Sequence, residues 1–566
     1  MSHWIPGASR GNIEASEAPL RRWFTAILPA GAAAREIDKM QKPIRRLVPL
    51  ALLLAMLAAP LATAAPEAPK RPNIVYILAD DLGYGDVRRL NPDGKIPTPN
   101  LDRLADSGMA FTDAHSGSAV CTPTRYGILT GRYSWRSRLQ SGVLGGCSPR
   151  LIEPGRLTVA EYLRRHGYTT TGLGKWHLGM NWALKPGKPP FRDNIEKGAD
   201  GWNVDYSRPI ADGPTAVGFD EYFGISASLD MVPYTFIEDD HVAAIPAVDK
   251  AFPMMHGRPK GMTRRGPAAA DFEAEDVLPA LTARAVETIR KRAGAAQKDK
   301  PFFIYMALAA PHTPIAPRPS WLGRSGMNPY ADFVMQVDAA VGEVLSALDA
   351  NHLTDETLLI FTSDNGCSPE AKFDELRAHG HDPSAGFRGH KADIFEGGHR
   401  IPFLVRWPGV VAPGSRSDQT ICLTDLMATC AAIVGEPLAD AAGEDSVSLL
   451  PALRGEARDP LHEAVVHHSI NGSFAIRQGD WKLCLCPDSG GWSAPRPGSK
   501  EAASLPAVQL YNLATDRAER HNVQDQHPEV VERLTRLLEK YVADGRSTPG
   551  KPRKNDGKIV LRKRRR

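Results

Sequence analysis

Up to about residue 455, short apolar runs that end in acidic residues, histidine or glycine recur along the chain. Asn73–Leu78 leads into Ala79-Asp80-Asp81-Leu82-Gly83, and Phe302–Leu308 into Ala309-Ala310-Pro311-His312. Thr357–Thr362 leads into Ser363-Asp364-Asn365-Gly366, and Ile401–Val405 is a fourth run. Each predicts a buried strand with polar groups at its C-terminal end. In open α/β sheets that end is where ligands bind. Between the runs the period becomes helical. Phe333, Val337, Val341, Val344, Leu345 and Leu348 share one face. Residues 72–455 are therefore expected to be an α/β domain, a large mixed, mainly parallel sheet sandwiched by helices.

The pattern changes after residue 455. Ala464–His468, Ser473–Ile476, Trp481–Cys486 and Val508–Tyr511 are short strand candidates. An amphipathic helix carrying Val531, Leu534, Leu538 and Tyr541 follows, with Pro528 suited to its first turn. Residues 456–547 thus read as a smaller antiparallel sheet with one helix. Lys185–Asp200 and Ala243–Ala270 are rich in Gly and Pro and are expected to be long loops. From Thr548 the chain is expected to be disordered, ending in the basic run Arg562–Arg566.

Charge changes the picture little. A net charge of +4, with much of the excess in that tail, gives no case for nucleic acid as a partner. Seven cysteines in 566 residues do not make a disulfide scaffold, so few or no disulfides are expected. Cys422 and Cys430 read as buried helix residues, and Cys484 and Cys486 as sharing a strand face. The N-terminus carries an address. From Met40 the order is Lys42, Arg45 and Arg46, the apolar run Leu47–Ala59, then small residues to Ala65. That order predicts a signal peptide over 40–65 and a secreted or periplasmic protein. The run is too short for a stable membrane span. Residues 1–39 look unlike structure and read as a mis-called upstream extension.

The strongest chemical signal is Cys121-Thr122-Pro123-Thr124-Arg125, continued by Tyr126-Gly127-Ile128-Leu129-Thr130-Gly131-Arg132. Alone, the cysteine could be a small buried side chain or a thiol nucleophile. Around it stand Asp80-Asp81, Gly174-Lys175-Trp176-His177-Leu178-Gly179, His312, Asp364-Asn365, Lys391 ahead of Glu396-Gly397-Gly398, and Leu510-Tyr511-Asn512-Leu513 with Glu519 and Asn522. Together these resemble the type I sulfatases of the alkaline phosphatase superfamily, over roughly Pro72 to Val542.

The resemblance implies a sulfuric ester hydrolase whose Cys121 is oxidised to formylglycine by a separate formylglycine-generating enzyme. It implies one calcium ion held by Asp80, Asp81, Asp364, Asn365 and the oxygen of residue 121. Those hard oxygen donors suit calcium and not zinc, which would want His or Cys. Magnesium fits the ligand types equally, and the resemblance favours calcium. A hydroxyl of hydrated formylglycine would be the nucleophile, with Asp364 taking its proton. His312 would be the acid for the leaving alcohol, and His177 the base that lets sulfate depart. Arg125, Lys175 and Lys391 would hold the sulfate oxygens. His115, His166, His390 and His399 are expected to be structural or supporting. Arg132–Ser137 and His256-Gly257-Arg258 offer aromatic and basic groups expected near the substrate mouth, which would suit a sulfated glycan. The alternatives are a phosphate or phosphonate ester hydrolase of the same superfamily, a non-catalytic sulfated-glycan-binding protein if Cys121 stays a thiol, and a plain structural protein.

Overall fold

The computed structural model describes residues 71–562 apart from Pro259. The expected extension (1–39), the signal peptide (40–65) and the last four residues of the basic tail lie outside the described residues.

A ten-stranded mixed sheet forms the centre. In chain order its strands are β1 (Asn73–Asp80), β2 (Met109–Phe111), β3 (Thr169–Lys175), β4 (Glu221–Ile225), β5 (Ile237–Glu238), β6 (His241–Val242), β7 (Phe302–Pro311), β8 (Thr357–Ser363), β9 (Phe403–Arg406) and β10 (Ser415–Ser417). Across the sheet they run β10-β2-β9-β8-β1-β7-β3-β4-β5-β6. The stretch β8-β1-β7-β3-β4 is parallel throughout. The fourth apolar run, now β9, pairs antiparallel with β8 and stands outside that parallel set.

Side chains along β1 alternate between two cores. Ile74, Tyr76 and Leu78 enter one, and Val75, Ile77 and Ala79 the other. Helix α1 (Cys121–Thr130) packs Tyr126, Ile128 and Leu129 into the first core. Helices α2 (Val277–Ala296) and α3 (Pro329–Ala350) cover the other face. Val337, Val341, Val344, Leu345 and Leu348 of α3 bury there, as their helical spacing predicts. A sheet covered on both faces has no solvated side, which is why β1, β7 and β8 read as nearly unbroken apolar runs.

The smaller sheet is antiparallel in the order β11 (Val465–His468), β12 (Phe474–Gln478), β13 (Trp481–Cys484), β14 (Gln509–Asn512). Helix α4 (Pro528–Asp544) lays Val530, Leu534, Leu538 and Tyr541 on Val466, Ile476, Leu483 and Leu510. All seven cysteines are buried free thiols. Cys430 lies in a helix as expected, but Cys422 ends a two-residue strand, Ile421–Cys422.

The two sheets meet in a buried ionic seam. Lys482 Nζ of β13 lies 3.0 Å from Glu396 Oε1 and 2.8 Å from Glu519 Oε1, with all three side chains fully buried. Arg400 Nε lies 2.9 Å from Glu396 Oε2, and its Nη2 lies 2.6 Å from Asp113 Oδ1. His115, His399 and His467 fill the same seam. His115 Nε2 lies 2.8 Å from Asp113 Oδ1, and His399 Nε2 lies 3.0 Å from Lys482 Nζ and 3.1 Å from the Ile394 carbonyl. The His399 and His467 rings stack 3.8 Å apart at 8°. Two parallel planes that far apart cannot both contain one ion, so this trio is packing and not a metal site. Lys482→Met would leave Glu396 and Glu519 buried without their shared cation. It is expected to destabilise the fold by about 3–5 kcal/mol. A urea midpoint unchanged from wild type would contradict this.

Two sequence expectations are overturned here. Arg132–Ser137 does not border a substrate mouth. Arg132, Trp135 and Arg136 are almost fully buried. Arg136 Nε lies 2.8 Å from Asp445 Oδ2, and its guanidinium covers the Trp135 ring. Nor is the stretch after Thr548 disordered as far as Arg562. It carries no helix or strand, yet Arg553 N donates to Asp544 O (2.7 Å) and Asp556 N to Arg136 O (2.8 Å). Asp556 Oδ1 also lies 3.1 Å from Arg132 Nη2. Buried arginines need partners, and this segment supplies them. Its basic composition hid the Asn555 and Asp556 that anchor it.

Candidate active site

The parallel strands β8, β1, β7 and β3 end side by side, and the residues just beyond them converge. Asp80 closes β1, with Asp81 next, and Lys175 closes β3. His312 follows β7, and Asp364 and Asn365 follow β8. Cys121 is the first residue of α1, which brings Arg125 one turn behind it. Lys391 arrives on a loop whose backbone N donates to the Cys367 carbonyl at 2.9 Å. Asp81 and His177 hold left-handed backbone (φ 65° and 55°), which turns each chain sharply after its strand. The glycines of two motifs share a reason. A Cβ on Gly366 would sit 1.9 Å from the Gly397 carbonyl oxygen, so these loops touch backbone to backbone.

Every sequence-predicted site residue is buried here. Lys175 Nζ lies 2.6 Å from Asp80 Oδ2. Arg125 Nη2 lies 2.7 Å from Asp364 Oδ2 and 3.5 Å from Asp80 Oδ1. Lys391 Nζ reaches Asp81 Oδ1 at 2.7 Å, and Asn365 Nδ2 donates to the same oxygen at 2.7 Å. Ligand atoms of Asp80, Cys121 and Asp364 lie within 4.8 Å of one another, as do those of Asp80, Asp81 and His312. Two buried oxygens, Asp80 Oδ1 and Asn365 Oδ1, accept no hydrogen bond. Such orphans are costly unless something else satisfies them. With the other carboxylate oxygens they form an all-oxygen donor set, which fits a hard cation such as calcium or magnesium.

The electrostatics separate the carboxylates. Burial opposes the charge on Asp80, but Lys175, His312 and Arg125 hold it well below the usual carboxylate range. Burial and the neighbouring Asp80 push Asp364 up to about 7 despite Arg125. Burial also raises the Cys121 thiol, so the cysteine as encoded is a poor thiolate nucleophile.

The histidines have defined tautomers. His177 Nε2 donates to the Leu144 carbonyl at 2.8 Å. That leaves its buried, unpartnered Nδ1 with a free lone pair. His312 Nδ1 donates to the Thr313 carbonyl at 2.6 Å. Its Nε2 stands 3.6 Å from Asp81 Oδ2, and the side chain lines the cleft. Burial is the largest cause lowering His115, His177, His312, His399 and His467 below the ordinary histidine value. The unfolded chain takes up those protons near pH 6.5, before the fold does. Their contribution to stability is therefore complete above pH 6.5 and is lost below it, by up to about 1.4 kcal/mol per pH unit for each group. Asp364 pulls the other way, as do carboxyls such as Glu153, Glu196 and Glu519 that burial raises from a lower starting value. The melting temperature is expected to fall between pH 7.5 and 5.5, and a rise over that range would contradict the assignment.

A cleft of about 470 Å³ leads to Cys121, His312 and Lys391. Sequence reasoning missed much of its wall. Asp230 and Arg264 line it as a pair 2.7 Å apart, and Trp492 and Arg496 come from the loop after β13. Their only signal was an aromatic and an arginine within a Gly, Ser and Pro-rich stretch. His390 also lines the cleft. His166 Nδ1 instead donates to the Tyr162 carbonyl of its own helix end at 2.7 Å, and Arg258 pairs with Glu375 at 2.9 Å.

Oxygen donors, three buried cations and a helix-borne Cys121 at the ends of parallel strands define a hydrolase site of the alkaline phosphatase superfamily. The family profile described as Sulfatase matches residues 72–436. The chain is 34% identical over 506 residues to an N-acetylgalactosamine-6-O-sulfatase of Bacteroides thetaiotaomicron, covering 83% of this chain and 93% of that protein. It is 35% identical over 506 residues to human arylsulfatase A, covering 86% and 90%. A solved structure from work on metabolism of multiple glycosaminoglycans by Bacteroides thetaiotaomicron superposes with a TM-score of 0.71 at 33% identity, covering 83% of this chain and 99% of that one. The chain belongs to the sulfatase family, and it is an enzyme that hydrolyses sulfate esters.

Proposed function

We propose that the protein cleaves a sulfate ester of a carbohydrate, using a formylglycine made from Cys121 and one bound calcium ion, after export through its signal peptide. The observation that carries the reading is the cluster itself: Cys121 beside Asp80 and Asp364, with three buried cations around them and two oxygens left unsatisfied. The carbohydrate is supported by the bacterial relative, named as an N-acetylgalactosamine-6-O-sulfatase.

Asp80, Asp81, Asp364 and Asn365 would hold the cation, which would stabilise charge on the sulfate oxygens. Residue 121 would hold the formylglycine, whose hydrated form would supply the nucleophilic hydroxyl for covalent catalysis. The chain's own residues do the rest. Arg125, Lys175 and Lys391 neutralise the sulfate oxygens in a water-poor site. Asp364, raised to about 7, can take a proton near neutral pH. His312 can deliver one from Nε2 to the leaving alcohol when its ring is doubly protonated, because the Thr313 carbonyl holds the Nδ1 proton in place. His177 can accept one at Nδ1, because the Leu144 carbonyl occupies its Nε2.

Two measurements on purified mature protein test this reading. Sulfate release should be seen from 4-nitrophenyl sulfate and from a 6-sulfated N-acetylhexosamine. The peptide containing residue 121 should be lighter than the encoded one by about 18 Da, the mass change for thiol to aldehyde. An unmodified thiol in fully active protein would sink the mechanism. Turnover of aryl sulfate without any sugar sulfate would sink the carbohydrate.

A further inference from the structure

The outer wall of the cleft comes from the small sheet's side of the molecule. The loop after β13 brings Trp492 and Arg496 into the same cleft as Cys121, His312 and Lys391. The catalytic candidates are buried, whereas Trp492 is 39% exposed and Arg496 is exposed. The pair therefore stands at the mouth of the cleft.

The loop is built to hold still. Asp393, two residues from Lys391, accepts from Trp492 N at 2.7 Å and Ser493 N at 3.0 Å through Oδ1. Its Oδ2 accepts from His390 N at 3.1 Å. Ile394 N donates to Ser489 O at 2.8 Å, and Ser489 N to Pro495 O at 2.9 Å. A Cβ on Gly491 would sit 2.4 Å from Ala392 O, so the loop lies flat against the segment that carries Lys391.

The charges at the mouth are unequally committed. Arg264 is paired with Asp230, and Glu370 lies 3.1 Å from Lys372. Arg496 uses Nε on the Trp492 carbonyl at 2.9 Å. Among the described residues no carboxylate forms an ion pair with it. An indole face beside an uncommitted guanidinium matches a ring with an apolar face and an anion next to it.

We propose that Trp492 and Arg496 form the leaving-group subsite, in which the indole stacks on a sugar ring and the guanidinium pairs with a second anionic group of the glycan. This rests on the carbohydrate reading above. It narrows the substrate to an acidic oligosaccharide whose second anion is a uronate carboxylate or another sulfate. Sulfur–oxygen cleavage proceeds as already described, and the subsite only binds.

The test compares kcat/KM for wild type, Arg496→Gln, Arg496→Lys and Trp492→Ala. The probes are 4-nitrophenyl sulfate, 6-sulfated N-acetylgalactosamine, the same sugar linked to a uronate, and a disulfated disaccharide without uronate. In wild type the acidic disaccharides should exceed the monosaccharide. In R496Q the ratio of acidic disaccharide to 4-nitrophenyl sulfate should fall by roughly tenfold or more, chiefly through KM, the scale of one lost charged hydrogen bond. R496K should recover part of it, and W492A should lower the ratio for every sugar. The disaccharide whose ratio falls more identifies the anion as carboxylate or sulfate. Taking the ratio within each variant corrects for the amount of folded, matured enzyme. Wild-type turnover of sugar sulfates with ratios unchanged in R496Q would overturn this subsite and leave the carbohydrate reading standing. Absence of any sugar-sulfate turnover by wild type would overturn both.

Discussion

Cys121→Ala is expected to lower kcat for sulfate-ester hydrolysis by roughly 10⁴-fold or more, the scale seen when a covalent nucleophile is removed. The loss should be chemical and not structural. Cys121 is a small side chain at the first position of α1, and alanine fits a helix at least as well. The ion pairs around it run between other residues, Lys175 to Asp80, Arg125 to Asp364 and Lys391 to Asp81. The melting temperature should therefore stay close to wild type while turnover disappears. No neighbouring group can replace what is lost, because the nearby carboxylates are already committed to cations. Steady-state assay of the variant with 4-nitrophenyl sulfate decides the matter. Retention of a tenth of the wild-type rate would show that residue 121 is not the nucleophile.

Stripping the proposed divalent cation with a chelator should cost roughly 10²-fold or more in kcat, since a Lewis acid at such a site contributes several kcal/mol. Asp80 Oδ1 and Asn365 Oδ1 have no protein donor to replace it. Stability should fall with activity. A cation present at 100 times its dissociation constant adds about 2.7 kcal/mol to the fold. Calcium added back should restore both activity and melting temperature, and zinc should restore neither, because the donors are all oxygen. Full activity in protein shown by elemental analysis to be metal-free would remove the cation from the mechanism.

The legibility of this molecule in its sequence was uneven for identifiable reasons. The parallel core was readable because β1, β7 and β8, buried on both faces, are apolar almost throughout, whereas buried β3 is mostly Thr and Gly and gave a weaker signal. The site was readable because its residues lie in short local strings at strand ends, from Asp80-Asp81 to Asp364-Asn365. The wall of the cleft was not. Arg132–Ser137 looked like a mouth because it is aromatic and basic, yet Arg136 spends its charge on buried Asp445. Trp492 and Arg496 carried no local string and were passed over. The segment after Thr548 looked disordered by composition, because the buried arginines it serves, Arg132 and Arg136, lie more than 400 residues away.

By itself, then, the sequence determined the fold class, the order of the strands' polar ends and the set of groups that converge beyond them. Those properties depend on periodicity and on neighbours within a few residues. The tertiary structure decided which cation faces which carboxylate, which nitrogen of His177 and His312 is free, and which loop borders the cleft. Each of these depends on contacts between segments distant in the chain, and pattern along one strand of sequence carries no record of them.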